Sequence, residues 1–514
     1  MTGQGTGIGC NQRASKAWRL VLVLPICLQT VGSDLDHGVL PPSTVAEARQ
    51  HLRSALESAD KKDAAGARAL VLSVIDDPAF DALDEPARHA ALALAAQIAQ
   101  QSNDFEQTHR FAVRATQSTE QSAEDWWTRL SSSIKIGDAS DEAECLTVIV
   151  RRWGRNASML SDTTVWQVVH DTIHVNASAR LELLNALYEL RWQSSDGGQP
   201  GIWWVELCRL LLELNRTPDA IRVASVVDDP SGIIAFRADL RFRPLLMSDR
   251  VNSNPRRAAK EEIEGLRKNA GESPRSLQAS LRLMRAMTHS RLDAEALALA
   301  EEAVRRIDAA GDGPPPYDDG WRFGALLDAR AAALTHLGRY DEAVQQLQRA
   351  AQLPLKRDAV SQPIDLALLL CDLDRPDQAL LALPAPEKAS IYGKMLIALV
   401  QLSAAVELGA RTDAEKALSY LREHRSDSPS ILQDALLRAG ALEDAEREYI
   451  SRLNDPAERI SALVEAQIYS EQKRPPRAAE WHDRFTALKE RPAVRSAISQ
   501  FGMIDRYSWT YGYD

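Results

Sequence analysis

Apolar residues recur along much of the chain every three to four positions, the period of an amphipathic α-helix. The pattern is clearest from Gly324 to Pro354, where two short helices are predicted on either side of a turn at residues 337–343. Gly338 in this turn can adopt the left-handed conformation that ends a helix. Asp341 and Glu342 follow at the predicted start of the second helix, where the helix dipole favours acidic groups. The stretch is therefore predicted to be a helix–turn–helix pair.

The spacing of this pair recurs in other parts of the sequence. A large residue precedes a small turn residue by sixteen positions in Leu327–Ala343, Trp127–Ala143 and Trp204–Ala220. Towards the C-terminus the turn alanine recurs at Ala343, Ala379, Ala414, Ala445 and Ala478, at intervals of 36, 35, 31 and 33 residues. Weaker candidates towards the N-terminus are Ala296, Ala220, Ala179, Ala143, Thr108 and Ala65. The recurrence predicts about eleven helix pairs between residues 43 and 490.

This unit resembles the tetratricopeptide repeat. In the best-preserved copy the resemblance is carried by Leu327, Ala331, Leu334, Gly338, Tyr340, Ala343, Leu347, Ala350 and Pro354. It is carried elsewhere by Trp127, Leu130 and Ala143, by Trp204, Leu207 and Ala220, and by Ala379, Ala414 and Ala445. Arg330 departs from the pattern, because a large apolar residue is usual there, and several copies lack the glycine.

The resemblance implies an all-α fold, a right-handed solenoid whose concave face is built from the first helix of each pair. In that family the concave face holds peptides or partner proteins. Carried over by register, the residues that face this groove are Thr128, Ser132, Lys135, Arg209, Asp328 and Thr335.

Three stretches interrupt the repeat and suggest how the chain is organised. Residues 194–201 and 309–320 are rich in glycine and proline and are predicted to be loops. Residues 231–258 do not fit the repeat, and we interpret them as an irregular join. The join would separate an N-terminal block of repeats at 43–230 from a C-terminal block at 259–490.

Residues 1–32 have the features of an export signal. Arg13, Lys16 and Arg19 form a basic segment, and residues 20–28 form a short apolar core. That core is too short to span a bilayer as a helix, and small residues before Ser33 offer a cleavage site. The leader predicts a bacterial-type, exported protein that is periplasmic or secreted and keeps no transmembrane helix. If the leader is misassigned, the protein would be cytoplasmic.

The last residues, 491–514, follow a different pattern. Aromatic residues at Tyr507, Trp509, Tyr511 and Tyr513 stand on every second position, the period of a β-strand. A terminus that is disordered or loosely docked is one interpretation. A segment that extends the sheet of a partner is the other.

Composition supports the helical interpretation and limits the function. The 514 residues are too many for one ordinary core, but a stack of repeats avoids that limit. The chain is 45% hydrophobic and only 6% aromatic. Its net charge of −11 argues against a general nucleic-acid-binding protein, which needs a basic surface.

The sequence contains one candidate metal site. His170 and His174 are four residues apart and would share a helix face, as in zinc proteases, but Asp171 replaces the glutamate of that motif. No third ligand is evident nearby, and no phosphate loop or nucleophile elbow is found, so we expect neither an enzyme nor a cofactor.

The leading hypothesis is a non-enzymatic scaffold in the cell envelope that binds a protein or peptide. The alternatives are the helical arm of an envelope assembly that exports polysaccharide, and a metal-dependent hydrolase using His170 and His174.

Overall fold

A computed structural model describes residues 44–154, 160–173, 176–193, 201–311, 313–353 and 361–508. The predicted leader at 1–32, Pro354, His174 and residues 509–514 of the predicted tail lie outside these ranges, as does most of the 194–201 loop. Within these ranges the chain forms 26 α-helices and no β-strand. Over the same residues, no helix is both long enough and apolar enough to cross a lipid bilayer.

The chain divides into two compact units, of which the first comprises residues 1–98. Its described helices are α1 (Val45–Asp60), α2 (Ala64–Ile75) and most of α3 (Glu85–Gln101). Thr44 and Asp63 cap α1 and α2 by accepting hydrogen bonds from backbone N–H groups of the first turn. The two helices form a pair whose buried turn residue is Ala67, whereas the predicted turn residue, Ala65, is exposed. The turn residue was therefore predicted two positions before the one that the structure buries.

The second unit comprises residues 99–514. In chain order its helices are α4 (Phe105–Ala115), α5 (Ala123–Ile136), α6 (Ala139–Trp153), α7 (Asp162–Asp171), α8 (Ala177–Leu190), α9 (Gly201–Glu213), α10 (Thr217–Ala224), α11 (Pro230–Ala238), α12 (Arg243–Leu246), α13 (Pro255–Glu272), α14 (Leu277–His289), α15 (Asp293–Ala310), α16 (Phe323–His336), α17 (Tyr340–Ala351), α18 (Ser361–Asp372), α19 (Pro376–Ala382), α20 (Ile391–Glu407), α21 (Arg411–Glu423), α22 (Pro429–Arg438), α23 (Leu442–Asn454), α24 (Arg459–Ala466), α25 (Pro476–Glu490) and α26 (Pro492–Phe501).

Most of the second unit is a stack of helix–turn–helix pairs. The best-formed pairs are α5/α6, α9/α10, α14/α15, α16/α17, α18/α19, α20/α21 and α22/α23, and each of the last five packs on the pair that precedes or follows it. The prediction of an all-α solenoid is therefore confirmed. A stack of this kind shares one continuous core between neighbouring pairs, which explains how so long a chain folds without separate globular cores.

The small turn residues allow the two helices of each pair to approach closely. The predicted turn alanines Ala143, Ala220, Ala343, Ala379 and Ala445 are buried, and Ala414 is partly buried. On the first helices, Leu130, Trp204, Leu207, Leu327 and Ala331 are buried, and Trp127 is half-buried against the same core.

The turns explain why several copies manage without the glycine. Gly338 has a φ of +78° and ends α16 in the left-handed region, as its position predicts. Copies without a glycine place another residue in the same conformation: Asn103, Asn215, Arg291 and Asp374 have φ values between 57° and 64°. Asparagine and aspartate tolerate this region because their short side chains bond locally.

Residues 231–258, which we predicted to be an irregular join, contain most of α11, the short helix α12 and the beginning of α13. Asp229 caps α11 by accepting a hydrogen bond from Gly232, and Pro230 occupies the first helical turn, where its missing N–H is not needed. Helix α11 is deeply buried and contacts α9, α13 and α24. Its sequence is almost entirely apolar or small because seven of its nine residues are buried.

The end of the described chain lies against this join. Met503 donates its backbone N–H to the carbonyl of Ala238 at 2.9 Å, and Arg237 forms an ion pair with Asp505 at 2.7 Å. Tyr507 is buried and stacks on Tyr469. The described part of the tail therefore pairs with residues of its own chain.

Candidate binding groove

Four first helices of the C-terminal block, α16, α18, α20 and α22, are joined in series: Asp328 of α16 accepts a hydrogen bond from Gln362 of α18, α18 packs on α20, and α20 packs on α22. We call the side that these four helices share the first-helix surface. A segment of the same chain, residues 470–490, runs across the C-terminal ends of these helices, and we call it the strap. The strap contains α25, which contacts α18, α22 and α23. Ala478 therefore does not stand at the turn of a further helix–turn–helix pair, although its interval of 33 residues suggested one.

Three basic residues of the strap contact successive first helices. Lys473 donates a hydrogen bond from Nζ to the carbonyl of Leu337, the C-cap residue of α16, at 3.3 Å. Arg477 forms ion pairs with Asp374, just beyond α18, at 3.0 Å, and with Glu407, the last residue of α20. The strap thus reaches the ends of three neighbouring first helices within five residues.

Arg484 continues the row at α22. Its Nη1 donates to the carbonyls of Leu437 at 2.7 Å and Arg438 at 2.9 Å. The last carbonyls of a helix have no partner within the helix and carry the negative end of its dipole. Cations are therefore stabilised there, and the strap supplies one to each of several helix ends.

Trp481 is the aromatic anchor of the strap. It is 6% exposed and belongs to the hydrophobic core of the C-terminal block. The guanidinium carbon of Arg438 lies 3.7 Å from the centre of a Trp481 ring, which is a cation–π contact.

Arg438 also connects three first helices. It donates from Nε to Asp434 on its own helix at 2.9 Å, and from Nη1 to Asp372 on α18 and Ser403 on α20, both at 3.4 Å. Burial raises the pKa of Asp372 to about 6, and the charge of Arg438 opposes that rise. The floor beneath Trp481 is therefore a polar network in which Arg438 is the central cation.

Two glutamates, Glu407 beneath the strap and Glu480 within it, position the arginines of the strap. Burial raises the pKa of Glu407, and the neighbouring charge of Arg477 opposes this rise. Within the strap, Glu480 accepts hydrogen bonds from Arg477 at 3.0 Å and from Arg484. Glu480 thus holds the two guanidinium groups in the orientation in which they meet the first-helix surface.

Two of the predicted groove residues lie on this surface. Asp328 on α16 accepts a hydrogen bond from Gln362 Nε2 on α18 at 3.1 Å, and its Oδ1 is buried without a hydrogen-bond partner among the described residues. Burial raises the pKa of Asp328 to about 6. Thr335, also on α16, is half-buried and donates to the carbonyl of Ala331.

The predicted groove residues on α5 do not form a groove. Ser132 is fully buried and donates to the carbonyl of Arg129 at 2.8 Å, and Thr128 is also buried. Both predictions were wrong, because neighbouring helices cover the helix face that the register assigned to solvent. Lys135 is exposed, with its Nζ 6.0 Å from the centre of the Phe105 ring.

Arg209 was also predicted to face the groove, and it is instead buried. It donates to Glu206 at 2.6 Å and 2.8 Å and to Glu213 at 2.7 Å, while Arg180 donates to Glu206 at 3.1 Å. A buried charge requires such partners, since desolvation is otherwise too costly. Arg209 therefore belongs to an internal ion-pair network between α8 and α9.

The two histidines of the candidate metal site are only partly described. His170 is exposed, and its Nδ1 lies 3.3 Å from Asp171 Oδ1, whereas His174 is outside the described residues. Across the described part of the chain, no cluster of three or more His, Cys, Asp or Glu side chains could hold a metal ion.

No protein-family model and no curated protein matches the sequence. Among solved structures, the crystal structure of a Rap protein complexed with Competence and Sporulation Factor is 11% identical, with a TM-score of 0.31, and the match covers 81% of this chain and 99% of that chain. The crystal structure of an APC/C hetero-tetramer, Cut9-Hcn1, is 12% identical, with a TM-score of 0.27, and covers 88% of this chain and 89% of that one. At such low TM-scores neither likeness carries an argument about fold or function.

Proposed function

We propose that this chain is a non-enzymatic helical scaffold that binds a protein or peptide partner on its first-helix surface. The observation that supports the proposal is the strap itself. The surface already holds a polypeptide segment through helix-end carbonyls, through Asp374 and Glu407, and through the pocket of Trp481. A surface that binds a segment of its own chain in this way has the chemistry to bind a segment of another.

We further propose that the scaffold works in the cell envelope. The support for this location is the sequence of residues 1–32, in which a basic segment precedes a short apolar core. A reporter enzyme that is active only after export, fused after residue 40, tests the location. Activity of the exported reporter supports it, and activity only of a cytoplasmic reporter at the same position contradicts it.

Partner binding is tested by photo-crosslinking in cells at a position on the first-helix surface. A photoreactive amino acid replaces Thr335 on α16, and the matched control carries it at Glu342, an exposed residue on the second helix of the same pair. We expect one defined protein adduct from position 335 and none from position 342. The purified partner should then bind the full chain in calorimetry. The absence of a specific adduct at 335, or equal adducts at both positions, would contradict the proposal.

A further inference from the structure

We propose that the strap is an internal competitor for the partner site, and that the partner is a basic amphipathic helix with an aromatic anchor. This inference rests on the proposed function and adds the class of partner and the way in which access is controlled. In the resting chain the strap occupies the first-helix surface, and a partner helix of the same chemistry displaces it.

The strap is held weakly compared with the helices beneath it. Within α25 only Trp481 and Leu488 are buried. The ion pair of Arg477 with Asp374 and the hydrogen bond of Lys473 are partly exposed to solvent, and such contacts contribute little each because water and salt screen them. The other partner of Arg477, Glu407, is only 8% exposed, so that ion pair is the better shielded of the two. Segments with few buried apolar contacts open at low free energy while the rest of the protein stays folded.

The ends of the strap are fixed independently of its middle. Before the strap, Ile468 donates its N–H to the carbonyl of Asp505 at 3.0 Å and accepts from Tyr507 at 2.8 Å. After it, Arg491 forms an ion pair with Glu446 on α23 at 2.6 Å, and α26 packs on α23. Pro475 and Pro476 interrupt the backbone between the first fixed point and α25. The strap can therefore lift as a loop while both attachment points remain in place.

The footprint of the strap defines the chemistry of the competing partner. The cations of the strap that contact the first-helix surface are Lys473, Arg477 and Arg484, and its aromatic anchor is Trp481. The surface offers the matching groups: the carboxylates of Asp374 and Glu407, and the helix-end carbonyls of α16 and α22 that accept hydrogen bonds from the strap. An acidic or uncharged helix would leave these negative groups without partners, so charge complementarity selects a basic one.

The proposal is tested with a fluorescent synthetic peptide of residues 470–490 added to the full chain, with fluorescence anisotropy as the readout. Three versions of the chain are compared: the unaltered protein, a strap variant with Arg477→Glu, Trp481→Ala and Arg484→Glu, and a matched control with Arg411→Glu and Arg447→Glu. Arg411 and Arg447 are exposed, and each forms an ion pair within its own helix, with Glu415 and Asp444 respectively. A peptide of scrambled sequence controls for non-specific charge attraction.

We expect the peptide to bind the strap variant at least about tenfold more tightly than either other version, because the variant leaves the surface unoccupied. Adding Asp374→Asn and Glu407→Gln to the strap variant should weaken that binding at least about tenfold. Equal affinity for all three versions would overturn the inference, as would binding that is insensitive to Asp374 and Glu407.

Two further outcomes are informative. If the strap variant fails to fold by circular dichroism, the milder pair Arg477→Gln and Trp481→Phe replaces it, with the same order of affinities expected. A specific adduct at position 335 without any gain in peptide binding by the strap variant would retain the proposed function and reject the competing strap. Peptide binding by the strap variant without any adduct at 335 would support the competing strap and reject the proposed cellular partner.

Discussion

The guanidinium carbon of Arg438, on α22, lies 3.7 Å from a ring centre of Trp481, on α25. Arg438 ends a first helix of the repeat stack, and Trp481 is the anchor of the segment that crosses the stack. Their contact joins the floor of the first-helix surface to the polypeptide that covers it. Loss of this contact should therefore release the strap before it affects the stack.

The substitution Trp481→Ala tests this relationship. We expect amide hydrogen exchange in α25 to accelerate by at least about tenfold, because the anchor is one of the two buried side chains of this helix. Exchange in α16 and α22 should change little. The control is Trp321→Ala, since that side chain is 73% exposed, and it should leave exchange in α25 unchanged. Equal acceleration in α25 and in the repeat helices would show that the strap is an inseparable part of the core.

Gly338 and Gly409 form a matched pair for measuring the contact of Lys473. Both have positive φ values, +78° and +67°, so alanine at either position costs about 1–2 kcal/mol of backbone strain. A Cβ atom at 338 would also lie 3.0 Å from Cδ of Lys473, whereas a Cβ at 409 meets nothing within 4 Å. We expect Gly338→Ala, and not Gly409→Ala, to increase hydrogen exchange at residues 471–475. The same exchange pattern in both variants would contradict the position of Lys473.

Glu142 is predicted to make stability depend on pH. It is buried on α6, and burial together with the neighbouring charges of Asp171, Asp138 and Asp141 raises its pKa to about 8. The folded state therefore binds this proton more tightly than the unfolded state does. Its contribution to stability is fully present below about pH 4.5 and is lost as the pH rises through about 8.

The substitution Glu142→Gln removes this dependence. At pH 8 the variant should be more stable than the unaltered chain by roughly 1–3 kcal/mol, and the difference should shrink as the pH falls towards 5. The control Glu144→Gln removes an exposed carboxylate two residues along the same helix. Denaturant unfolding at pH 5, 6.5 and 8 measures both. If the difference in the free energy of unfolding between Glu142→Gln and the unaltered chain were the same at all three pH values, the raised pKa of Glu142 would be contradicted.

Arg452 is a second buried charge, and its role is structural. It is fully buried and donates to Gln433 at 2.6 Å and to Glu465 at 2.6 Å and 2.8 Å. Because Arg452→Met leaves the half-buried carboxylate of Glu465 and the buried amide of Gln433 without their partner, we expect the free energy of unfolding to fall by about 3–5 kcal/mol. The control Arg447→Met removes an exposed ion pair of the same helix and should change stability by less than about 1 kcal/mol. Similar losses of stability from both substitutions would contradict the structural role of Arg452.

The repeat fold could be predicted because the residues that specify it lie close together in sequence. The pattern around Gly338 predicts a left-handed turn, and the spacing from Trp204 to Ala220 predicts a helix pair, since both features depend on local packing. Copies with Asn215 or Asp374 in place of the glycine were harder to recognise, because they form the same turn with a different residue.

The strap could not be predicted for the opposite reason. The contacts of Lys473 with Leu337 and of Arg477 with Asp374 join residues more than one hundred positions apart, and no local pattern encodes such pairs. The only sequence signal was the pair of prolines at 475 and 476, which separates α25 from the preceding helix.

The same limitation explains the errors at Ser132 and Arg209. Both were assigned to the groove by counting along the repeat, which assumes that each first helix is covered on only one side. Arg209 shows that the assumption fails, because it is buried and paired with Glu206 of its own helix, which also accepts a hydrogen bond from Arg180 on α8. Charge alone did not distinguish a residue that faces a ligand from one that serves an internal ion pair.

The most direct test of the account is to locate the strap with a photoreactive amino acid at position 473 in the purified full chain, followed by mass spectrometry. The account predicts an intramolecular crosslink to the turn around Leu337 and Gly338, which weakens when excess peptide of residues 470–490 is added. A photoreactive group at exposed Lys416 serves as the control and should give no crosslink to that turn. A crosslink from 473 to any other region, or none at all, would contradict the claim that the first-helix surface holds a segment of its own chain.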